Sequence, residues 1–292
     1  MHTRLGLTIA ICAMLCGCQG MPVHAVLPDA ARDKVASTEV VLPIQQSEIY
    51  IFVPATTAGA GFGLVGALID VSIDQVRSSK AETAIKPLRT AVSDYEFDTA
   101  FKASVQNALQ QAPWLGAAPP RVLKEITDQN VDGAVTASKA AAVLFVAADY
   151  QLSNDGDELT VTATTRLVGT TPALQALVSK RDQKHPASPG NAIYRNRLVF
   201  KARIAAQPGG RDDNIAVWSA RNGALLRTAL DMASAKLAGM LVQDLLQTAA
   251  QDAAAAKQIT KDPVAIGTDA DGKTMRNADG TLTFMVNDTM KP

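Results

Sequence analysis

All three cysteines of this 292-residue chain lie within its first eighteen residues, at Cys12, Cys16 and Cys18. The rest of the chain has no thiol, so it can form neither a disulfide framework nor a cysteine-ligated zinc site. Thiol catalysis is excluded there as well. The chain must therefore fold around an apolar core, and its aromatic content of only 4% predicts helices that pack closely through small side chains.

The amino terminus has the three parts of an export signal. Arg4 supplies a positive charge, the run from Leu5 to Leu15 is apolar, and small residues lead to Cys18. This apolar run is shorter than the ~20 residues that cross a bilayer as a helix. The pattern therefore predicts a cleaved signal and not a membrane span.

The motif LCGC at residues 15–18 resembles the lipobox of bacterial lipoproteins. The resemblance implies that residues 1–17 are removed and that Cys18 receives an N-acyl chain and a diacylglycerol, which together anchor the chain. Gln19 stands where an Asp retains such lipoproteins at the inner membrane, so the resemblance implies the outer membrane. The periplasmic face is expected, and which face of that membrane the domain occupies stays open. An ordinary secretory signal that happens to contain cysteines is the alternative.

The charge balance gives no indication of a nucleic-acid partner. The chain has 28 basic and 28 acidic residues, and removal of residues 1–17 takes away one basic residue, Arg4. A near-neutral chain makes no general case for nucleic acid. We expect contact with a membrane through the anchor, an envelope protein or anionic envelope polymer as partner, and no cofactor besides the lipid; the oligomeric state stays open.

Composition divides the chain into four parts. After the signal at residues 1–17, residues 18–46 contain Pro22, Pro28 and Pro43 and no sustained period, which predicts a lipidated tether. Residues 47–258 predict a periplasmic domain. Residues 259–292 predict a tail, with a small hairpin around the stretch TLTFMV at 281–286.

Two segments have the apolar spacing of amphipathic helices. Behind the stretch SDYE at residues 93–96, the first stripe consists of Phe97, Phe101, Val105 and Ala108. The second helix is predicted from about Ala224 to Ala250, and its stripe consists of Leu226, Leu230, Ala233, Leu237, Leu241 and Leu245.

Strand patterns fill the middle of the chain. Apolar and β-branched residues at 142–152 lead into the turn signal NDGD at 154–157, and alternation resumes at 159–168 and 194–204. The stretch at 213–219 reads as a further strand. Together, the patterns predict an α+β fold: a mixed, mostly antiparallel sheet with amphipathic helices packed on one face.

A second resemblance covers about residues 118–250. The order of AAVLFVAADYQLS, LTVTATTRLV and VWSARNG before a long helix is similar to a periplasmic α/β module. That module occurs in the curli secretion-channel lipoprotein, the penicillin-binding-protein activator lipoprotein and the amino-terminal domain of TolB. The resemblance implies a non-enzymatic envelope protein that works through partners.

Glycines at positions 61, 63 and 66 match the spacing of a dinucleotide-binding loop. That motif needs a tight strand-to-helix turn and a second strand ending in an acid about twenty residues later. Here the turn after Val53 is too long, and the stretch from Arg77 to Lys86 is polar and helical in character. The spacing therefore does not predict nucleotide binding.

A different spacing in the same segment is more informative. Gly59, Gly63 and Ala67 place small residues four apart, which lets helical backbones approach closely. A glycine loop and helix packed against the sheet is one interpretation. Insertion in a membrane and a helical contact between chains are the alternatives.

The strand at 194–204 alternates apolar and basic residues. Its basic face carries Arg195, Arg197, Lys201 and Arg203, and Thr160, Thr162, Thr164 and Arg166 are expected beside them. A docking face for an acidic partner or anionic polymer is one interpretation. A solvated face, neutralised by acids such as Asp149 and Asp157, is the other.

Candidates for acid–base chemistry are few. His185 is the only histidine within the predicted domain, and no GxSxG motif surrounds a serine. Asp70 and Asp74 lie one helical turn apart without a third ligand, so no metal site is predicted. A non-catalytic interaction or assembly factor is favoured, and a periplasmic hydrolase with unrecognised acid–base residues is the alternative.

Overall fold

The residues that the structure describes form one mixed sheet of nine strands. A computed structural model of the chain describes residues 23–53, 79–178, 192–258 and 262–291. The strands are β1 (Thr38–Pro43), β2 (Tyr50–Ile51), β3 (Arg121–Leu123), β4 (Ala142–Leu152), β5 (Glu158–Gly169), β6 (Ala192–Arg203), β7 (Val264–Thr268), β8 (Gly272–Arg276) and β9 (Leu282–Val286).

The sheet order is β3-β1-β4-β5-β6-β9-β8-β7, and the short β2 pairs with β4. The longest ladders, β4–β5 and β5–β6, are antiparallel, as are β7–β8 and β8–β9. Parallel pairs join β1 to β3 and β4, β2 to β4, and β6 to β9. The predicted α+β class with a mixed sheet is confirmed.

Seven helices accompany the sheet within the described ranges. They are α1 (Asp29–Arg32), α2 (Ser79–Ala91), α3 (Phe97–Leu109), α4 (Asp128–Ala137), α5 (Pro172–Gln175), α6 (Arg211–Leu246) and α7 (Ala249–Gln258). Helices α2, α3 and α6 pack on the same sheet face and bury the main apolar core against β4, β5 and β6. None of the described helices is long and apolar enough to cross a membrane.

Both predicted apolar stripes face this core. Phe97 and Phe101 stack with ring centroids 5.6 Å apart, and Phe97 lies 4.6 Å from Tyr150 on β4. The stripe of α6 from Leu226 to Leu245 is buried throughout. Since apolar residues three or four apart share one helix face, the stripes followed directly from the sequence.

The prediction of a strand at residues 213–219 is wrong, because these residues form the first half of α6. Asn214, Ile215 and Trp218 are the buried ones, and their spacing is helical. The helix is interrupted where Arg221, Asn222 and Gly223 have positive φ angles of 53°, 57° and 69°. Such angles suit Gly, and at Gly223 a Cβ would also collide with Val92, so the turn before the second half needs a glycine there.

A smaller helix adds a layer on the opposite sheet face. Val131 and Ala134 of α4 pack over Val41, Val143 and Phe145 at one end of the sheet. This second apolar cluster explains why β4 is buried on both faces at that end. We refer below to the remainder of this sheet face, over β4, β5 and β6, as the outer face.

The predicted tether at residues 18–46 is wrong for the part that the structure describes. Leu27 and Ala31 are fully buried, and β1 lies inside the sheet between β3 and β4. Val40 and Leu42 face the main core, while Val41 faces the α4 cluster. Pro28 directly precedes α1 and Pro43 is the last residue of β1, so both prolines stand at the ends of regular elements.

The carboxyl-terminal strands extend the same sheet. A small hairpin was predicted around residues 281–286, and β8 and β9 form it, with Gly280 at φ +89° in the turn. Its β9 strand pairs in parallel with β6, where Phe200 and Phe284 stack at 5.9 Å. Leu282 and Phe284 of β9 thus belong to the main core, whereas β7 is largely exposed and extends the sheet at its edge.

Phe101→Ala should lower the free energy of unfolding by about 3–5 kcal/mol, because Phe101 is fully buried between α3 and the sheet. Urea unfolding of the purified protein measures the loss. Lys102→Ala, at an exposed neighbouring position of the same helix, is the matched control and should change stability by less than about 0.5 kcal/mol. A loss below about 1 kcal/mol for Phe101→Ala would contradict the described packing.

Candidate functional site

Several predicted site residues lie outside the described residues. These are the lipid-attachment residue Cys18 and the close-packing segment with Gly59, Gly63 and Ala67. The same holds for His185, Asp70 and Asp74. All of these predictions therefore remain predictions.

The basic strand is β6, and its residues alternate as predicted. Its register with β5 sets Arg195 opposite Arg166, Arg197 opposite Thr164, and Lys201 opposite Thr160. Arg195 and Arg166, however, are only 3% and 4% exposed. Burial, followed by the nearby Arg195 charge, lowers the pKa of Arg166 to about 10. Arg195 thus belongs to the interior of the fold and not to a docking surface.

Two of the other predicted cations share one acid. Lys201 Nζ lies 2.8 Å from Glu158 Oε1, and Arg203 binds the second oxygen of the same carboxylate. Burial alone would raise the pKa of Glu158, but the hydrogen bonds from Lys201 and Arg203 lower it. Glu158 is therefore the acid that pairs with both cations, and the expected Asp157 acts on Arg203 only through its nearby charge. Lys201, Arg203 and Glu158 together retain one positive charge.

The outer face presents hydroxyls beside these cations. Thr160, Thr162 and Thr164 of β5 are half-buried and point to the same side as Arg197 and Lys201. Each threonine hydroxyl can donate and accept a hydrogen bond. The outer face is therefore regular, polar and weakly cationic.

Asp149 lies on the same face of β4, directly opposite Thr162. Its Oδ1 is sealed from solvent and has no hydrogen-bond partner among the described residues; the same is true of Gln151 Oε1, two residues along. Burial raises the pKa of Asp149 to about 7. Asp149 is half-buried as a residue, and the desolvation of its sealed oxygen, which accepts no hydrogen bond, favours the protonated form and explains the direction of the shift.

A second polar group lies on the helix side of the sheet and was missed in the sequence. Tyr194 Oη and Asn196 Nδ2 of β6 both donate to Asp244 Oδ2 of α6, each at 2.8 Å. All three side chains are almost completely buried. Burial and the neighbouring Asp244 charge raise the pKa of Tyr194 well above its ordinary value, so the phenol keeps the proton that it donates.

Three further side chains complete this cluster, which we name the Asp244 network. Arg276 of β8, 2% exposed, lies 3.7 Å from Asp244 Oδ1 and 2.8 Å from Asp252 Oδ1 of α7. Arg276 Nη2 also lies 3.1 Å from His24 Nε2. The network thus joins β6, the end of α6, α7, β8 and the amino-terminal segment.

His24 is held as a neutral imidazole. Burial lowers its pKa and outweighs the opposing effect of Asp244 and Asp252. Because a guanidinium can only donate, Nε2 of His24 must accept the bond from Arg276, which places the imidazole proton on Nδ1. His24 therefore acts as an acceptor in a buried structural network.

The sequence did contain partial signals for this network. Tyr194 and Asn196 fall on the inward face of an alternating strand, and Asp244 falls beside Leu241 and Leu245 in an apolar helix stripe. Buried polar groups need partners, so inward polar residues predict that a network exists. They do not identify distant partners such as His24, which lies 252 residues from Arg276.

Two surface cavities offer no paired carboxylates among their described lining residues. One, of about 750 Å³, lies between α2 and the first half of α6 and includes Lys80, Arg211 and Asp212. The other, of about 510 Å³, lies near the ends of α4 and α5 and is lined mainly by hydroxyls and Lys139. Within the described ranges, no group of three His, Cys, Asp or Glu side chains is arranged to hold a metal ion.

No protein-family model matches the chain, and no curated protein matches it. It is similar at 12% identity to a PelC dodecamer from Paraburkholderia phytofirmans, with a TM-score of 0.29 over 76% of this chain and 94% of that one. A point variant of that PelC has a TM-score of 0.28 over 76% of this chain and 96% of the other, also at 12% identity. A "putative lipoprotein" from Caulobacter crescentus CB15 has a TM-score of 0.21 over 56% of this chain and 94% of the other, again at 12% identity. TM-scores this low carry no argument about what this chain does.

Asp149→Asn should stabilise the protein at pH 8 and have little effect at pH 4. The folded-state pKa of about 7 lies above the ordinary 3.8, so the native state binds more protons than the unfolded state between these values. The contribution of the Asp149 carboxyl to the free energy of unfolding therefore falls as the pH rises from about 4 to about 7. The gain from Asn at pH 8 should be roughly 2–4 kcal/mol, at about 1.4 kcal/mol per pKa unit.

Urea unfolding of the variant and the parent protein across pH 4–8 measures the difference in their free energies of unfolding. Because His24 is present in both proteins, its contribution cancels in this difference. Asp155→Asn, at an exposed position in the β4–β5 turn, is the matched control and should give a difference independent of pH. A pH-independent difference for Asp149→Asn would show that the carboxyl is not desolvated.

Proposed function

We propose that this chain is a cell-envelope protein, anchored by lipid on Cys18 at the periplasmic face of the outer membrane. It acts by binding or helping to assemble another envelope component, without catalysis. The outer face supports the binding role, because half-buried threonines of β5 lie beside cations of β6 there. The lipid anchor rests on the lipobox at residues 15–18.

The chemistry of the outer face favours an anionic partner. Glu158 is shared by Lys201 and Arg203, so these three groups retain one positive charge. Arg197 lies on the same side of the sheet, where the charge of Asp279 acts on it. Threonine hydroxyls between them can donate to carboxylate, sulfate or phosphate oxygens. An acidic protein segment or an anionic envelope polymer fits this arrangement.

The acid–base groups on the helix side support a non-catalytic role. Asp244 receives hydrogen bonds from Tyr194 and Asn196, and His24 accepts one from Arg276. These hydrogen bonds occupy the side chains that general acid–base catalysis would need to present to a substrate. Their geometry serves to hold chain segments together.

A hydrolase is the second candidate, and Asp149 is the observation that favours it. A carboxyl whose pKa lies near 7 is suited to proton transfer at neutral pH. The Asp149→Asn variant separates the two candidates, because a hydrolase would lose turnover while a binding protein would retain its partner.

Thr164→Glu should weaken binding to an anionic partner about three- to tenfold, equivalent to roughly 0.6–1.4 kcal/mol. The new carboxylate would lie beside Arg197 and oppose the field of the outer face. Retention of the lipid-bearing chain on immobilised sulfated dextran and on immobilised polyglutamate, as a function of salt, measures the change and tests the two partner classes separately.

Thr228→Glu supplies the matched control, because Thr228 is exposed on α6, on the helix side of the sheet, and the change adds the same charge. It should leave retention unchanged. Equal weakening by both substitutions would show a general charge effect and would contradict a binding role for the outer face.

A further inference from the structure

We infer that the end of the domain carrying the Asp244 network rests on the bilayer surface, with lipid headgroups covering α7 and the β8–β9 turn. This inference deepens the proposed function and depends on its lipid anchor at Cys18. The occupant of this end of the molecule is a lipid surface. The short chain between the anchor and the first fixed residue limits how the domain can be oriented.

The amino-terminal segment is fixed to the domain almost from its first described residue. Ala25 exchanges two backbone hydrogen bonds with Arg195 of β6, at 2.9 and 3.1 Å. His24 contacts Arg276, and a Cβ at Gly280 would collide with His24. The segment therefore enters the domain at the Asp244 network, beside the β8–β9 turn.

A second contact secures the same segment to the end of α6. Arg32 donates through Nη2 to the backbone oxygens of Leu245 and Gln247, at 3.2 and 2.7 Å. A cation at a helix carboxyl terminus is favoured by the unpaired carbonyls and by the helix dipole. Residues 24–32 thus hold the terminal turn of the longest helix.

The distance that remains for a linker is short. Seven residue steps separate Cys18 from Ala25. A fully extended chain covers at most 3.3–3.6 Å per residue, so the lipid lies within about 25 Å of Ala25. A tether of residues 18–46 would have spanned four times as many steps and would have fixed no orientation.

The β4–β5 turn, at the opposite end of the sheet, lies far from Ala25. Ala25 lies in the same cross-strand row as Arg195, Arg166 and Phe145. From Phe145 to Leu152, β4 advances seven residues, or about 24 Å, before the β4–β5 turn begins. An inverted orientation, with that turn on the membrane, would stretch the linker to its full length.

The end nearest the anchor also has an uncovered helix. None of the residues of α7 is buried, and most of its alanines are exposed. Asp252, through its ion pair with Arg276, connects α7 to the domain. A headgroup layer against this end would cover α7 and the exposed β8–β9 turn at Ala278.

Depth-dependent quenching tests this orientation in the full lipid-bearing chain. With Cys18 acylated, a cysteine placed at Ala278→Cys or Asp155→Cys is the single free thiol for a fluorescent label, and both positions are exposed. Each labelled chain is reconstituted in phosphatidylcholine vesicles containing nitroxide-headgroup lipid. The label at 278 should lose at least about twice as much emission as the label at 155, because it lies on the order of 24 Å closer to the anchor.

A second pair, Ala254→Cys on α7 and Ala216→Cys near the β4–β5 turn, keeps the test decisive if one variant folds poorly. Mass spectrometry of the amino-terminal peptide reports the lipid independently. A lipid-bearing chain with equal or reversed quenching overturns the orientation alone. An unmodified Cys18 overturns the anchor of the proposed function, and this inference with it.

Discussion

The rest of the structure depends on a buried carboxylate, Asp244, near the end of the longest helix. A charge removed from water needs hydrogen bonds and a counter-charge, and it strongly destabilises the protein when one partner is lost. Tyr194 and Asn196 supply the hydrogen bonds, and Arg276 supplies the charge. These partners come from β6 and β8, and His24 Nε2 lies 4.0 Å from Asp244 Oδ1. One buried carboxylate therefore brings the amino-terminal segment, the central sheet and the carboxyl-terminal strands together.

This arrangement relates the anchor to the binding face. The amino-terminal segment enters the domain at the Asp244 network, and the strands of the outer face run away from that end towards the β4–β5 turn. With the network end at the membrane, the outer face would stand at the side of the domain. A long envelope polymer or an acidic protein could then approach it parallel to the membrane.

The local periodicity of apolar residues was sufficient to predict much of the fold. The stripes of α3 and α6 and the alternation of β5 and β6 were predicted because the residues that share a face are near neighbours in the sequence. The failures have local causes too. Prolines at 28 and 43 made a sheet strand resemble a tether. Ile215 and Val217 have the spacing of a strand, whereas Ile215 and Trp218 have the spacing of a helix.

The candidate site was less accessible to sequence reasoning. The four cations of β6 were identified, but the burial of Arg195 and the pairing of Lys201 and Arg203 with Glu158 depend on the register with β5 and on the packing of the sheet. Asp244 is visible in the sequence only as an acid within an apolar helix stripe, and Arg276 has no such local pattern. Their pairing is a contact between distant segments, which local patterns do not predict.

Native-state hydrogen exchange of an Arg276→Met variant tests the central role of the Asp244 network most directly. Removal of Arg276 leaves Asp244 without its counter-charge, so the amides of Ala25 and the β8–β9 hairpin should lose protection about 100-fold, or roughly 3 kcal/mol. The amides of the β4–β5 ladder should lose much less. Uniform loss across the sheet, or unchanged protection at Ala25, would contradict the account.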